Sequence, residues 1–269
     1  MTHLLTDMPA LQARISRVLT RECRQSRVCL EIPDGGSKSS AVLFLLGEVG
    51  GEPCLILNKR SRRVKQPGDL CCPGGSIAPR LDALVGRLLG LPLLPLGSWP
   101  PWRGWRRSAP ADARRLALLL ATSLRESFEE MRLNPLGVRF LGPLPAQRLL
   151  LFRRIIYPMA AWVAAGQRFV PNWEVEKIVP IPLRCLLDPR RYVRYRLQIS
   201  AAVATRFRGR NEDFPCLVFE TDEGRELLWG VTFRVVMVFL ELVFGFRPPD
   251  PARLSVVSGR IRRHYLTGG

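Results

Sequence analysis

Two apolar runs, AVLFLLG (41–47) and CLILNKR (54–60), flank the turn-forming EVGGEP. That pattern predicts a β-hairpin. Upstream, Leu11, Ile15, Val18 and Leu19 recur at helical spacing, so residues 8 to 24 predict an amphipathic helix. QPGDLCCPGG (66–75) reads as a Pro/Gly-punctuated loop containing a short strand. Residues 81 to 120 open apolar, then cluster Trp99, Trp102 and Trp105 among Arg103, Arg106 and Arg107. Prolines at 92, 95, 100 and 101 forbid one continuous helix there. A helix then predicts itself over 111 to 133. VRFLGPLP (138–145), RIIYPMAAWVA (154–164), EKIVPIPL (176–183) and PCLVFETD (215–222) read as further strands. Residues 226 to 244 predict a closing helix. Arg234 and Glu241 interrupt its apolar run, which favours a core helix over a membrane span. The expected fold class is α/β (α+β), a mixed β-sheet between helices.

Composition narrows the chemistry. With 269 residues and 47% hydrophobic content, the chain suits a globular domain with a substantial core. Its formal net charge of +18, mostly from arginine, favours polyanionic partners. An arginine-rich proteome would produce the same excess. The seven cysteines form no Cys-x-x-Cys pair, and the N-terminus carries no secretory pattern. The expectation is a reducing compartment and a cytoplasmic location. The two histidines, His3 and His264, lie near opposite ends. A His-dependent nucleophile or His-built zinc site would have to recruit a terminus. Carboxylates and a hard metal ion are the expected instruments.

RESFEEM (125–131) supplies carboxylates. On a helix Glu126, Glu129 and Glu130 share one face, where they repel unless something positive sits among them. Arg125 stands four residues before Glu129 and can neutralise it, leaving Glu126 and Glu130 facing one point. Carboxylate oxygens favour Mg²⁺ or Mn²⁺ over zinc. A solvated acidic face is the plainer reading of the heptapeptide alone. Upstream, the Gly74–Gly75 pair permits close backbone approach to an anion.

Together, Gly75 and RESFEEM resemble the signature of Nudix hydrolases. Arg125–Glu126 matches its Arg-Glu pair, Glu129–Glu130 its Glu-Glu pair, and Leu133 its closing hydrophobic position. ILNKRSRRVKQPGDLCCPGG (56–75) is similar to the extended motif of coenzyme A pyrophosphatase-type members through Arg60, Ser61, Gly68, Pro73, Gly74 and Gly75. Cys72 stands for the usual Phe and Lys65 for an Arg. Blocks as far as LLWGVTFRVV agree in order, so the resemblance covers roughly residues 35 to 245. Two positions depart from it. Leu81, with Asp82 beside it, stands where a glutamate is expected, and Arg132 replaces a glycine. About 35 extra residues precede Arg125.

The resemblance implies a Nudix-like α/β/α sandwich over 35–246 with an insertion at about 81–120. It would follow a helical N-terminal extension (1–34) and precede a basic Pro/Arg-rich tail (247–269). It implies a pyrophosphatase that hydrolyses the diphosphate of a nucleotide derivative, coenzyme A or a relative. Mg²⁺ or Mn²⁺ would be held by Glu126 and Glu130 with help from Glu129. Arg60 and Lys65 would hold phosphate oxygens, Gly74 and Gly75 would shape the turn, and Arg125 would position the glutamates. Asp82 would replace the missing glutamate, or its role would be lost. The family's habits suggest a homodimer. The 81–120 segment suits a lid, a dimer contact or, by its Trp/Arg composition, weak contact with a membrane surface, with a neutral decoration as the plainer reading. A catalytically impaired nucleotide-binding or regulatory protein is the alternative. A nucleic-acid-binding protein ranks last, because no RNA-binding aromatic motif or zinc-finger spacing is present.

Overall fold

The computed structural model describes residues 2–26, 38–149, 154–199, 212–261 and 265. Residues 27–34 of the expected extension, and 262–264 and 266–269 of the expected tail, lie outside the described residues. Two helices, α1 (Thr2–Thr6) and α2 (Met8–Ser26), precede the hairpin of β1 (Lys38–Val49) and β2 (Glu52–Arg60). Short strands β3 (Leu70–Cys71) and β4 (Gly74–Ser76) follow. The segment expected to be an insertion folds as α3 (Pro79–Leu89) and α4 (Trp102–Ser108), and leads into the long α5 (Pro110–Met131). Then come β5 (Val138–Pro143), β6 (Gln147–Leu149), β7 (Arg154–Val163), β8 (Val175–Pro182) and the short α6 (Leu183–Leu186). β9 (Tyr192–Ile199), β10 (Glu212–Thr221), β11 (Gly224–Leu228), α7 (Gly230–Phe244) and β12 (Val256–Ile261) complete the order.

The main sheet runs β3-β2-β1-β7-β5, with β4 on β1, β6 on β7 and β8 on β2. It is mixed: β1 pairs antiparallel with β2 but parallel with β7, Val42 opposite Pro158. Both faces are covered, which explains the unbroken apolar run of β1. Ala41, Leu43 and Leu45 face α5 and the insertion. Phe44 and Leu46 face α2 and α7, where Leu11, Ile15, Leu19, Val236 and Phe239 pack. A second sheet, β11-β10-β9-β12, lies beside the first.

Three expectations are corrected. The tryptophans of the insertion are not an exposed interfacial patch. Trp99, Trp102 and Trp105 are 2%, 6% and 8% exposed and belong to the α5-side core. The exposed apolar residues of that segment are leucines, among them Leu84 and Leu93. Residues 226–228 close strand β11, and the helix begins only at Gly230. Part of the expected tail is strand β12, which pairs parallel with β9.

Candidate active site at the C-terminal end of helix α5

The sheet, the β3–β4 segment and the last two turns of α5 meet where the acidic heptapeptide lies. Gly74 and Gly75 are there for want of space. Gly74 has a φ of +149°, and a Cβ on it would stand 2.4 Å from the Ala41 carbonyl oxygen. A Cβ on Gly75 would stand 2.4 Å from the Glu126 carboxyl carbon. Strand β4 thus lies directly against that carboxylate, an approach only glycine allows. Beyond the glutamates α5 ends on Arg132, left-handed at φ 56°. That conformation explains why a glycine suits this position. The Arg132 guanidinium covers the Phe128 ring at 5.2 Å.

Arg125 organises the helix end. Its Nε donates to Asp82 Oδ1 at 2.7 Å, and its Nη2 donates to Asp82 Oδ2 at 3.3 Å and to the Ser76 carbonyl at 3.0 Å. Its Nη1 lies 3.1 Å from both Glu126 Oε1 and Glu129 Oε1. The expected Arg125–Glu129 pairing is present, and Glu126 shares the same guanidinium. Asp82 is fully buried and also accepts from the Ala78 N–H and the Thr122 hydroxyl, each at 2.7 Å. Burial alone would raise the Asp82 carboxyl. The bonds from Arg125, Ala78 and Thr122 outweigh burial and hold it below its ordinary value. Leu81 is 51% exposed. Asp82 therefore anchors Arg125, and its carboxylate oxygens are already engaged.

The glutamates differ in surroundings. Glu129 is exposed and turned to Arg125. Glu126 is half-buried, and desolvation raises its carboxyl despite Arg125. Glu130 is the most perturbed. Desolvation pushes it up to about 7, against the opposing bonds from the Gly74 N–H and Asn58, while Glu126 and Glu174 push it further upward. Asn58 Nδ2 donates to Glu130 Oε2 at 2.7 Å. Asn58 Oδ1 is buried with no hydrogen-bond partner among the described residues. Such an orphan acceptor costs free energy until something positive or protic reaches it.

The remaining expected residues sit on the adjoining loop. Arg60 Nε donates to the Lys65 carbonyl at 2.7 Å, bracing residues 61–69. The same loop is closed by Arg60 N–H to the Asp69 carbonyl and Gly68 N–H to the Arg60 carbonyl. Lys65 is exposed. Cys71, beside the loop, is an inert thiol, pushed up to about 12 by burial.

Two groups escaped the sequence reading, Asn58 and Glu174. Asn58 interrupts an apolar strand at a fully covered position, a signal that a polar residue there has a partner to meet. Glu174 follows a segment docked on the helix end. The Asn172 N–H donates to the Glu130 carbonyl at 2.8 Å, and the Val170 N–H to that of Met131 at 2.9 Å.

Among the described residues, no three Asp, Glu, His or Cys side chains converge into a closed metal cage. Two half-buried carboxylates with the open Asn58 amide oxygen nearby are still a suitable donor set for Mg²⁺. That ion is commonly held by one or two carboxylates, waters and substrate phosphates.

No protein-family model and no curated protein matches the chain. Among solved structures, a NUDIX hydrolase from Nitrosomonas europaea is similar at 11% identity, covering 85% of this chain and 83% of that one, with a TM-score of 0.41. An Ap4A hydrolase from C. elegans in a binary complex is 12% identical over 56% of this chain and 83% of that one, TM-score 0.37. The NUDIX domain of Shewanella oneidensis NrtR, complexed with ADP ribose, is 14% identical over 61% of this chain and 86% of that one, TM-score 0.35. At these identities and scores the functional argument rests on the site's own residues.

Proposed function

We propose that the chain is a Nudix-type pyrophosphohydrolase that cleaves the diphosphate linkage of a nucleoside diphosphate derivative, coenzyme A or a related molecule, with Mg²⁺ or Mn²⁺. The observation that carries this reading is the Glu126–Glu130 pair. Both carboxylates are desolvated and raised, on a helix end held by Arg125 and Asp82, beside a glycine strand with no room for a Cβ. Negative charge concentrated in a half-buried site is stabilised by a cation. Glu126 and Glu130 would hold the ion, with Asn58 Oδ1 as a nearby oxygen donor. The ion would neutralise the diphosphate and polarise its phosphoryl oxygens.

This chain's own groups do the rest. Asn58 and the Gly74 N–H together hold the Glu130 carboxylate in place. Arg125 is engaged on four partners and serves as a positioning residue. Arg60 and Lys65, on the braced loop, would meet phosphate oxygens by charge. The coenzyme A preference is supported by the resemblance of residues 56–75.

The Asp82 carboxylate is spent on Arg125, and Leu81 offers no ligand. These two facts favour a second reading, a nucleotide-binding protein with little turnover. One experiment separates the two. Coenzyme A, acyl-CoA, ADP-ribose, NADH, dinucleoside polyphosphates and nucleoside triphosphates are incubated with Mg²⁺ or Mn²⁺, beside Glu130→Gln. Cleavage of one substrate, abolished in the variant, supports the hydrolase. Binding without cleavage by folded protein supports the second reading.

A further inference from the structure

A cavity of about 630 Å³ lies away from the glutamates, between α2, the inserted segment and β5, and shares no residue with the candidate active site. Its described lining includes four arginines, Arg17, Arg21, Arg24 and Arg139, and no carboxylate. The first three stand at i, i+4 and i+7 along α2, so their side chains emerge on one face. Arg139 faces them from β5, where its Nη1 donates to Gln12 Oε1 at 3.2 Å. Arg24 lies in the last turn of α2, where the helix dipole favours a cation on its own account. Arg17 and Arg21 lie before that turn and Arg139 lies on a strand, so the dipole does not account for them. All four are exposed, so water screens their mutual repulsion, and their convergence on one concavity favours an anion there.

The opposite wall is apolar and comes from the insertion and β5: Trp99, Pro100, Pro101 and Phe140. Trp99 packs edge-on against Phe140 with ring centroids 5.1 Å apart. The indole Nε1–H of Trp99 is buried with no hydrogen-bond partner among the described residues. That donor lies inside the wall; the accessible part of the wall is Pro100 and Pro101. Cavities of roughly 300–1,000 Å³ take a single small ligand. A nucleic-acid strand would instead need a basic track leading out at both ends.

We propose that this cavity is a second binding site, for a nucleoside di- or triphosphate. The arginines hold the phosphates by charge-assisted, fork-shaped hydrogen bonds, and the base lies along the wall of the insertion. The insertion then has a task separate from hydrolysis: it supplies half of an effector site.

Calorimetric titration of ATP into the full chain tests this, in EDTA so that metal-dependent binding at the glutamates is suppressed. The comparisons are tripolyphosphate and adenosine as ligands, and Arg17→Glu/Arg21→Glu and Arg60→Ala as variants. The expected result is that ATP binds at least about tenfold more tightly than either fragment. The double variant weakens it by about tenfold or more, and Arg60→Ala leaves it within about twofold. Arg17→Gln/Arg21→Gln repeats the test should the charge reversal disturb folding. Equal affinity for ATP and tripolyphosphate would overturn the nucleotide assignment in favour of a bare phosphate patch. Loss of binding in Arg60→Ala but not in the double variant would place the nucleotide at the glutamate site. Tighter binding of a short RNA oligomer, lost in the double variant, would make this face a nucleic-acid surface.

Discussion

The Asp82 carboxylate takes the Arg125 Nε–H at 2.7 Å and an Nη2–H at 3.3 Å, joining the first turn of α3 to the end of α5 across 43 positions of chain. Asp82 is fully buried and Arg125 is 15% exposed. Removing the carboxylate leaves a half-buried guanidinium with a weaker set of partners. Asp82→Ala is expected to cost about 2–4 kcal/mol in chemical denaturation and to lower any diphosphatase activity, because Glu126 and Glu129 share that guanidinium. Leu81→Glu, at an exposed position, should change activity less than about twofold and should not rescue Asp82→Ala. Rescue would show that position 81, not 82, carries the anchoring role.

Glu130 gives a prediction with a sign. Its folded value of about 7 exceeds the ordinary 4.5, so the native state binds its proton more tightly than the unfolded chain. Without a cation its contribution to stability falls as pH rises from about 4.5 through about 7, then levels. Glu130→Gln keeps an acceptor for Asn58 and discards the buried charge. It should therefore melt at or above wild type at pH 8 while losing about 100-fold or more in activity. Added Mg²⁺ should raise the melting temperature of wild type at pH 8, and of the variant far less. Equal Mg²⁺ shifts would remove Glu130 from the ion's ligands.

Asp69, half-buried and apart from the glutamates, is a second carboxylate held above its ordinary value. Asp69 accepts from the Tyr265 hydroxyl and from Trp229 Nε1, the latter at 3.1 Å. Burial nonetheless pushes it up to about 6 from 3.8, against the opposing influence of those bonds and of Arg60. The sign follows as for Glu130. Stability declines between pH of about 4 and about 6, by on the order of 1–3 kcal/mol. Asp69→Asn keeps an acceptor for Trp229 Nε1 and places an amide N–H where the Tyr265 hydroxyl oxygen can accept it, and should flatten that part of the melting profile. Asp69→Leu strands the Tyr265 and Trp229 donors and should destabilise at every pH. A profile unchanged by Asp69→Asn would mean that other groups set the slope.

The insertion separates buried from exposed apolar residues sharply enough to test. Trp99→Ala empties a core position beside Phe140 and Trp105 and should cost about 3–5 kcal/mol. Leu93, 94% exposed, should tolerate Glu within about 0.5 kcal/mol. Urea unfolding of the two variants measures both. A mild Trp99→Ala would mean that the inserted segment folds as an appendage.

The legible parts of the fold were those where local pattern and burial agree. The hairpin of β1 and β2 and the helix carrying RESFEEM follow from apolar runs and carboxylate spacing. Arg125–Glu129 follows from the i, i+4 rule. Asp82 was visible only as a neighbour of an expected position. It became the anchor because α3 starts at Pro79, so consecutive side chains diverge by about 100° and Leu81 faces water while Asp82 faces α5. The tryptophans were misread because their arginine neighbours suggested an interface. Their spacing of three residues was the better guide, since it sets all three toward the core. Strand β9 was missed although Val193, Tyr195 and Leu197 alternate with Arg194, Arg196 and Gln198. Its partner β12 arrives from 60 residues further on, a pairing no local window contains.

The loop beside the glutamates has a distant partner in Tyr265. The Gln66 N–H donates to the Tyr265 carbonyl at 2.8 Å, and Asp69 receives the Tyr265 hydroxyl across 196 positions. Chains are made from the N-terminus, and contacts form only after both sides exist. The main sheet and α5 can therefore be assembled while the loop of Arg60 and Lys65 still lacks this contact. That loop is fastened only after residue 265 has been synthesised, later than the sheet and helix that carry the glutamates.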